Sequence, residues 1–216
     1  MNNRYVIVIG RKYGSGGRAI GEILSEKLGI PLYDKTILAK VAAEQKIPDE
    51  RLRAMDEYLN AHRFTNIGLQ AKKALFNPGN WFETNPEGIL DREKVYQWQS
   101  DVIRRLAEEG PCIIVGRCGD EVLKDHPNLI SLFITAPMKV REERIARLYP
   151  DIPETKYQTH RQYINQTDRL RSHYYNYHTG RDWGDITNYD LVLDSSKLGI
   201  EGTAEFLENY IRRRVE

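Results

Sequence analysis

A glycine-rich segment joins the first apolar run of the chain to its first helical pattern, and it limits the possible folds more than any other feature. The segment reads Ile9-Gly10-Arg11-Lys12-Tyr13-Gly14-Ser15-Gly16-Gly17-Arg18-Ala19-Ile20. Glycines let the backbone curl until successive amide N–H groups aim at one point, and the helix that follows adds unpaired N–H groups and the positive end of its dipole. This order of strand, glycine loop and helix predicts a cradle for a polyphosphate.

A plain strand-to-helix turn and a dinucleotide site are the alternatives. Four glycines within eight residues, flanked by Arg11, Lys12 and Arg18, exceed what a turn requires. The glycine spacing does not fit G-x-G-x-x-G, and no acidic residue is suitably placed to bind a ribose. We therefore expect an anion site at this loop.

The loop departs from the G-x-x-x-x-G-K-[ST] pattern of nucleotide-binding loops. When Gly14-Ser15-Gly16 is laid on the centre of that pattern, Gly17 stands in place of the lysine. Arg18 then stands in place of the serine or threonine that binds Mg²⁺. Our hypothesis is that Arg18 takes over the charge of the missing lysine and that Ser15 or water assists with the metal.

Strand-like and helix-like patterns alternate along the chain. Short β-branched apolar runs predict strands at Arg4–Ile9, Pro31–Tyr33, Cys112–Val115, Leu129–Thr135 and Asp190–Leu193. Apolar residues at helical spacing predict helices around Ile20–Leu28, Val95–Leu106, Val140–Leu148 and Ala204–Val215. Because the apolar runs are continuous rather than alternating, the sheet should be parallel and covered on both faces. The predicted class is α/β.

Two segments interrupt this alternation, and the domain organisation follows from them. Residues 45–91 are partly helical and then loop-like, and residues 149–188 are polar, aromatic and rich in arginine. We expect one domain over residues 1–216, with its core formed by 1–44, 92–148 and 189–216.

Composition excludes several classes of protein. The 216 residues are 40% hydrophobic and 29% charged, which is ordinary for a globular protein. A net charge of +1 gives no argument for a nucleic-acid or membrane partner. There is no apolar run of spanning length and no signal-peptide pattern. Cys112 and Cys118 lack disulfide or metal-site spacing, so we expect a cytoplasmic protein, with Cys112 in the core and Cys118 able to be exposed.

Notable residues follow several predicted strands at the same end of the sheet. The second strand leads into Asp34, the third into Gly116-Arg117, and the fifth into Asp194-Ser195. Ligands of open parallel sheets bind beyond the carboxyl ends of the strands. These residues and the glycine loop should therefore surround one site.

The chain resembles the cytidylate kinase-like family of P-loop proteins. The resemblance is carried by the loop 11–18, Ile20-Gly21, Leu28–Pro31, Tyr33-Asp34, Val115–Arg117, Phe133–Pro137, Asp168-Arg169, Tyr189–Asp194 and Leu198–Glu201. It covers nearly the whole chain apart from residues 45–91. It implies a three-layer P-loop kinase fold with a five-stranded parallel sheet, an acceptor-binding helical insertion at 45–91 and an Arg-rich lid at 149–188.

The implied reaction is transfer of the ATP γ-phosphate, with Mg²⁺, to a nucleoside monophosphate such as CMP or dCMP. The expected partners are nucleotide substrates, and the expected assembly is a monomer or homodimer. The family's Asp-Gly-Arg-Asp segment grips the acceptor phosphate, but Val115 and Cys118 stand where its two carboxylates would be. This departure leaves a different small-molecule acceptor, or a non-catalytic nucleotide-binding regulatory protein, as alternatives.

The resemblance also assigns site residues. The residues expected to bind the ATP phosphates are Arg11, Lys12, Tyr13, Gly14, Ser15, Gly16, Gly17 and Arg18, and Ser195 is expected beside the adenine. The residues expected to bind the acceptor are Asp34, Gly116, Arg117 and Arg171. The catalytic set is Arg18, Arg117, Arg144, Asp168 and Arg169, and the metal ligands are unknown.

Simpler roles remain open for several of these residues. Asp34 can cap a helix that begins at Lys35, and Arg117 can pair with Asp120 or Glu121 on the surface. Residues 194–197 can form an ordinary turn. Arg141, Arg144 and Arg147 share one predicted helix face, of which we expect one or two members to reach phosphate, and the alternative is a solvated face.

Overall fold

A computed structural model describes residues 5–34, 92–149 and 159–215, and helices and strands are numbered here in chain order over these residues. The strands are β1 (Val6–Arg11), β2 (Leu32–Tyr33), β3 (Cys112–Val115), β4 (Leu129–Thr135) and β5 (Leu191–Asp194). The helices are α1 (Gly17–Leu28), α2 (Arg92–Glu109), α3 (Gly119–Val122), α4 (Met138–Leu148), α5 (His160–Thr179) and α6 (Gly199–Val215), with a 3₁₀ turn at Ile186–Asn188.

The five strands form one parallel sheet in the order β2-β3-β1-β4-β5. Strand β1 is central, and its Val6 pairs with Cys112 of β3 on one side and Leu129 of β4 on the other. The carboxyl ends of all five strands therefore meet at one edge, where the glycine loop leaves β1.

Side chains of β1 alternate between two apolar cores. Ile7 and Ile9 lie in the core that includes residues of α1 and α6, whereas Val6 and Val8 lie in the core that includes residues of α2. All four side chains are buried, which accounts for the continuous apolar run in the sequence. The sheet between two helical layers confirms the predicted α/β class.

The structure confirms all five predicted strands and corrects some of their limits. Strand β1 ends at Arg11 rather than Ile9, because Gly10 and Arg11 pair with Phe133 and Ile134 of β4. Strand β5 likewise extends one residue further than predicted, to Asp194.

A 20-residue helix, α5, occupies much of the region expected to form the lid. A capping box between Thr159 and Gln162 begins it, and Gly180 in the left-handed conformation ends it. The insertion predicted at 45–91, the helix predicted after Asp34 and the lid residues 150–158 all lie outside the described residues.

Both cysteines are buried free thiols, so the expectation that Cys118 can be exposed is wrong. Cys118 lies in the turn between β3 and α3, and its burial raises the pKa of its thiol. In the part of the chain that the structure describes, no helix has the length and apolar character needed to cross a membrane.

Candidate active site

The glycine loop curls between β1 and α1 as the sequence predicts. Gly14 and Gly16 both have positive φ angles, +76° and +83°, and Gly16 caps the N-terminus of α1. A Cβ on Gly16 would lie 2.9 Å from Ile200 Cγ1, so the loop packs too closely against α6 for any side chain at this position. The first N–H groups of α1 have no acceptor within the helix, and they lie where the loop joins it.

A cavity of about 540 Å³ opens beside the loop, within the usual size range of small-molecule sites. Among the residues that the structure describes, seven cationic side chains line it: Arg11, Lys12, Arg18, Arg117, Arg144, Arg147 and Arg171. The carboxylates that line it in the same part of the chain are Glu22 and Asp34. This excess of positive charge suits strongly anionic ligands.

Arg144 ties the glycine loop to the end of β5. Its Nη1 donates to the Ser15 carbonyl (2.9 Å) and to Ser195 Oγ (2.8 Å), and Ser195 Oγ donates to the same Ser15 carbonyl. Ser15 and Ser195 are fully buried. Ser195 thus reaches the loop through Ser15, while Arg144 is also part of the cavity wall.

Asp168 lies behind the loop. The Tyr13 backbone N–H donates to Asp168 Oδ1 (2.8 Å), and Arg141 Nη1 donates to Asp168 Oδ2 (2.5 Å). Arg141 is only 8% exposed, so the alternative of a solvated face is wrong for this arginine. Arg144 and Arg147, one and two helical turns further along α4, line the cavity.

The Arg11 side chain lies over the turn that follows β3, where the sequence predicts acceptor-binding residues, and it also lines the cavity beside the glycine loop. A Cβ on Gly116 would collide with Arg11 Nη1, so the guanidinium crosses directly over the turn that follows β3. Arg171 donates to the Arg11 carbonyl (3.1 Å). Burial, followed by the charges of Arg171 and Arg117, lowers the pKa of Arg11.

Arg11, Arg117 and Arg171 all line the cavity and interact electrostatically, and we call them the Arg11–Arg117–Arg171 cluster. They also line a second, smaller cavity of about 50 Å³. Burial lowers the pKa of Arg171 as well. Because arginine stays protonated in proteins, the lowered pKa values reflect cations held close together with little water, a state that a bound anion relieves.

The turn that carries Arg117 has an unusual backbone. Gly116, Arg117 and Cys118 all have positive φ angles, +76°, +62° and +51°. Non-glycine residues rarely adopt this region, and such strain is characteristic of ligand-binding and catalytic positions. Asp120 and Glu121, the expected surface partners of Arg117, instead lie 3.8 and 2.7 Å from Arg181 Nη2.

Two other cations of the loop have distinct surroundings. Arg18 Nε lies 3.0 Å from Glu22 Oε1 and 3.4 Å from Asp34 Oδ2. Lys12 Nζ lies 4.5 Å from the ring centre of Trp183, a cation–π contact, and burial lowers the pKa of Lys12.

Part of the cavity wall is apolar. It contains Ile145, Leu148, Tyr149 and Ile200. Leu148 and Tyr149 are 69% and 52% exposed although they are large apolar side chains. Apolar side chains next to cationic ones in the same cavity suit a ligand that has both a planar ring and phosphate groups.

Most of the predicted site residues come together at this cavity. Its wall includes Arg11, Lys12, Tyr13, Gly14, Gly16, Gly17, Arg18, Asp34, Arg117, Arg144 and Arg171. Gly116 lines the smaller cavity, whereas Ser15, Ser195 and Asp168 are buried beside the loop. The Arg169 side chain is exposed, and α5 presents Arg171 to the cavity instead.

Sequence reasoning missed several cavity residues. Glu22 lies four residues after Arg18, a spacing that predicts their ion pair on one helix face. Arg147 was not missed, since its spacing from Arg144 placed it on the predicted arginine face of α4, and it lines the cavity. Ile200 and Tyr149 have no signal in the sequence that distinguishes them from other apolar residues.

The residues present fit ATP, and they fit Mg²⁺ only as an ion that ATP brings with it. The described residues include no group of three or more His, Cys, Asp or Glu side chains able to hold a metal. Mg²⁺ commonly keeps several waters and binds through one or two carboxylates plus substrate phosphates. Glu22 and Asp34 are the carboxylates available at the cavity, and the buried Ser15 Oγ has no hydrogen-bond partner among the described residues.

Known proteins resemble this chain in sequence and in fold. A cytidylate kinase from Methanopyrus kandleri is 28% identical over 213 residues, covering 94% of this chain and 91% of the relative. The structure of an uncharacterized protein from Eubacterium ventriosum aligns with a TM-score of 0.64 and 24% identity, over 96% of this chain and 98% of that one. A gluconokinase from Sinorhizobium meliloti aligns with a TM-score of 0.53 and 16% identity, over 99% and 94% of the two chains.

The structural neighbours show that the fold is that of P-loop kinases. The sequence profile of the cytidylate kinase-like family matches residues 6–197, which is most of the chain. This protein therefore belongs to the cytidylate kinase-like family.

Proposed function

We propose that this protein transfers the γ-phosphate of ATP to a small phosphorylated acceptor, with CMP or dCMP as the favoured acceptors. The observation that carries the proposal is the shared cavity, whose lining includes both the glycine loop and the Arg11–Arg117–Arg171 cluster. A loop for one set of phosphates and further arginines beside it suit two anionic ligands held next to each other.

The glycine loop supports ATP binding in this proposal. Backbone N–H groups of the loop and of the first turn of α1 would bind the phosphates, and Arg18, Lys12 and Arg144 would supply positive charge. Arg18 would replace the missing lysine. The apolar wall that includes Ile145 and Tyr149 would cover the base.

The acceptor side of the proposal rests on charge. A phosphomonoester carries roughly two negative charges near neutral pH. Arginine suits this group because its planar fork makes paired hydrogen bonds to phosphate oxygens. The presence of Arg11, Arg117 and Arg171 together in the cavity wall supports a dianionic acceptor over a neutral one. Asp34, beside Arg18, would contact the acceptor.

In the proposed reaction an acceptor phosphate oxygen attacks the γ-phosphorus of ATP. A new P–O bond forms as the bond between the γ-phosphorus and its bridging oxygen breaks, and ADP leaves with that oxygen. Positioning and charge neutralisation carry such transfers, and well-placed arginines can contribute about a thousandfold or more. Mg²⁺ bound with ATP would add further neutralisation. No general base is required, although Asp34 is the carboxylate placed to accept a proton.

A second candidate is a kinase of an unphosphorylated acceptor. The observation in its favour is that Val115, an apolar side chain, forms part of the cavity wall at a position where the family resemblance leads us to expect a carboxylate. The structural similarity to gluconokinase concerns the fold alone. An acceptor panel separates this candidate from the first.

The test is ADP release from MgATP with each nucleoside monophosphate added in turn, and with gluconate and shikimate as unphosphorylated acceptors. We expect release with CMP or dCMP, and its loss in Arg117→Met. The matched control is Arg104→Met, an exposed arginine of α2 that pairs with Asp101. Release with an unphosphorylated acceptor alone would favour the second candidate, and MgATP binding without release would favour a regulatory protein.

A further inference from the structure

A buried ion pair holds both backbone polar groups of one residue in the phosphate loop, Tyr13. Asp168 Oδ1 accepts a hydrogen bond from the Tyr13 N–H (2.8 Å), and Arg141 Nη1 donates to the Tyr13 carbonyl (3.3 Å). Arg141 Nη1 also donates to Asp168 Oδ2 (2.5 Å). Asp168 and Arg141 are 9% and 8% exposed, so the pair is shielded from water.

The pair acts at one remove from the cavity. Tyr13 lines the cavity, whereas the lining formed by the described residues includes neither Asp168 nor Arg141. The Tyr13 ring packs with Ile145 of α4 and Ile164 of α5, the same two helices that carry the ion pair. The hydrogen bonds of the pair to the Tyr13 backbone therefore connect it to a residue of the cavity wall.

We propose that Asp168 and Arg141 are positioning residues that hold the phosphate loop in its nucleotide-binding shape by fixing the Tyr13 backbone to α5 and α4. This inference rests on the proposed function, since it requires ATP to bind at the loop. The sequence led us to expect Asp168 in the catalytic set, whereas in this inference Asp168 supports the phosphate loop and does not touch the substrate.

The composition of the loop explains why it needs such support. Gly14 and Gly16 both lie in the left-handed region, and glycine has the greatest backbone freedom to lose when a ligand orders it. A loop already fixed in the bound shape avoids that cost at the moment of binding. Asp168 and Arg141 would fix Tyr13, the residue immediately before Gly14.

A stabilising role alone does not account for a charged pair at this position. Apolar side chains of similar volume commonly replace a buried ion pair without loss of stability, whereas loss of one partner leaves an unpaired charge. We therefore expect that replacing both residues at once keeps the fold and alters only the hydrogen bonds to the Tyr13 backbone.

The test compares two double variants that differ only in a hydrogen-bond acceptor. In Arg141→Met/Asp168→Asn the amide oxygen can still accept from the Tyr13 N–H, whereas in Arg141→Met/Asp168→Leu nothing replaces the carboxylate. We expect MgATP to bind on the order of tenfold to a hundredfold more weakly to the leucine variant than to the asparagine variant, measured by calorimetry. The asparagine variant should remain within about threefold of the wild type.

A second pair of charges between the same helices provides the control. Arg161 of α5 makes two hydrogen bonds to Glu142 of α4, at 2.9 and 3.0 Å, on the exposed surface. Glu142→Gln weakens this link between α4 and α5 without touching the loop, and it should leave MgATP affinity unchanged. Urea denaturation of every variant checks that the fold is kept.

Hydrogen exchange of the Tyr13 amide in the ligand-free protein tests the contact independently of nucleotide. We expect exchange at least about tenfold faster in the leucine variant than in the asparagine variant, because only the latter retains an acceptor. Equal MgATP affinity of the two folded double variants, or equal Tyr13 exchange, would overturn the inference. If the wild type binds no MgATP, the proposed function fails and the positioning role fails with it, whereas failure of the inference alone leaves wild-type binding intact.

Discussion

The guanidinium of Arg18 lies 3.4 Å from the carboxylate of Asp34, measured from Nε to Oδ2, and this ion pair joins the first turn of α1 to the end of β2. Glu22, one helical turn along α1, lies 3.0 Å from the same Nε. Arg18 is therefore held between the phosphate loop and Asp34, where under the proposed function a cation would contact both ligands.

Replacing Arg18 with alanine should weaken MgATP binding about tenfold, because a charge-assisted contact to phosphate is lost. Calorimetric titration measures this effect. Arg104→Ala is the matched control, since Arg104 has a similar side-chain exposure (55% against 57%) and also pairs with an acidic neighbour. Unchanged nucleotide affinity and turnover in Arg18→Ala would mean that Arg18 does not replace the missing lysine.

Two glycines with similar backbone angles allow the position of Arg11 to be tested. Gly116 and Gly29 have φ angles of +76° and +66°, but only a Cβ on Gly116 would meet Arg11, since Gly29 has no neighbouring atom within 4 Å among the described residues. Alanine at either position should cost about 1–2 kcal/mol of backbone strain. Only Gly116→Ala should also displace the Arg11 guanidinium and raise the KM for the acceptor.

Urea denaturation and acceptor titration at saturating MgATP distinguish these two effects. Similar unfolding midpoints with a KM increase confined to Gly116→Ala are expected. An unaltered acceptor KM in a folded Gly116→Ala protein would argue against a role for Arg11 in acceptor binding.

Asp120 should give stability an unusual dependence on pH. Burial raises the pKa of Asp120, although Tyr175 donates a 2.6 Å hydrogen bond to its carboxylate. In the unfolded chain an aspartate ionises near pH 3.9. Above about that pH the folded state resists ionisation and loses stability, whereas well below it the carboxyl is protonated in both states and the penalty disappears. Asp120→Asn should therefore stabilise the protein at pH 7, and the gain should shrink as the pH falls toward 4.

Asp185 supplies a control of opposite sign. Hydrogen bonds from the Thr187 N–H and hydroxyl lower the pKa of Asp185, so its ionised form contributes stability at pH 7 that is lost as the pH falls through that lowered pKa. Asp185→Asn should thus destabilise the protein at pH 7 and less so in acid. Unfolding free energies at pH 7, 5.5 and 4 test both variants, and destabilisation by Asp120→Asn at pH 7 would contradict the account.

The sequence predicted the sheet well because buried parallel strands leave a local signal. The continuous apolar runs of β3 and β4 were predicted with the limits that the structure has. The end of β1 was not, since Gly10 and Arg11 resemble loop residues and join the strand only through their pairing with β4. Strand limits of this kind depend on the neighbouring strand.

Side-chain partners of the site depended on packing that the sequence does not reveal. Arg141 and Asp168 are 27 residues apart and meet only because α4 and α5 pack together. Ser195 reaches Ser15 across 180 residues of chain. Spacing identified arginines that reach the cavity, but it could not separate Arg141, which supports the loop, from Arg144, which also lines the cavity.

Under the proposed function, one cavity holds ATP and a phosphorylated acceptor for direct transfer between them. The most direct measurement follows a label in the γ-phosphate of MgATP during incubation with CMP or dCMP and separates the products by chromatography. We predict that the label appears in CDP or dCDP in amounts equal to the ADP formed. Protein that binds MgATP but leaves the label in ATP, or releases it only as inorganic phosphate with every nucleoside monophosphate, would contradict the claim.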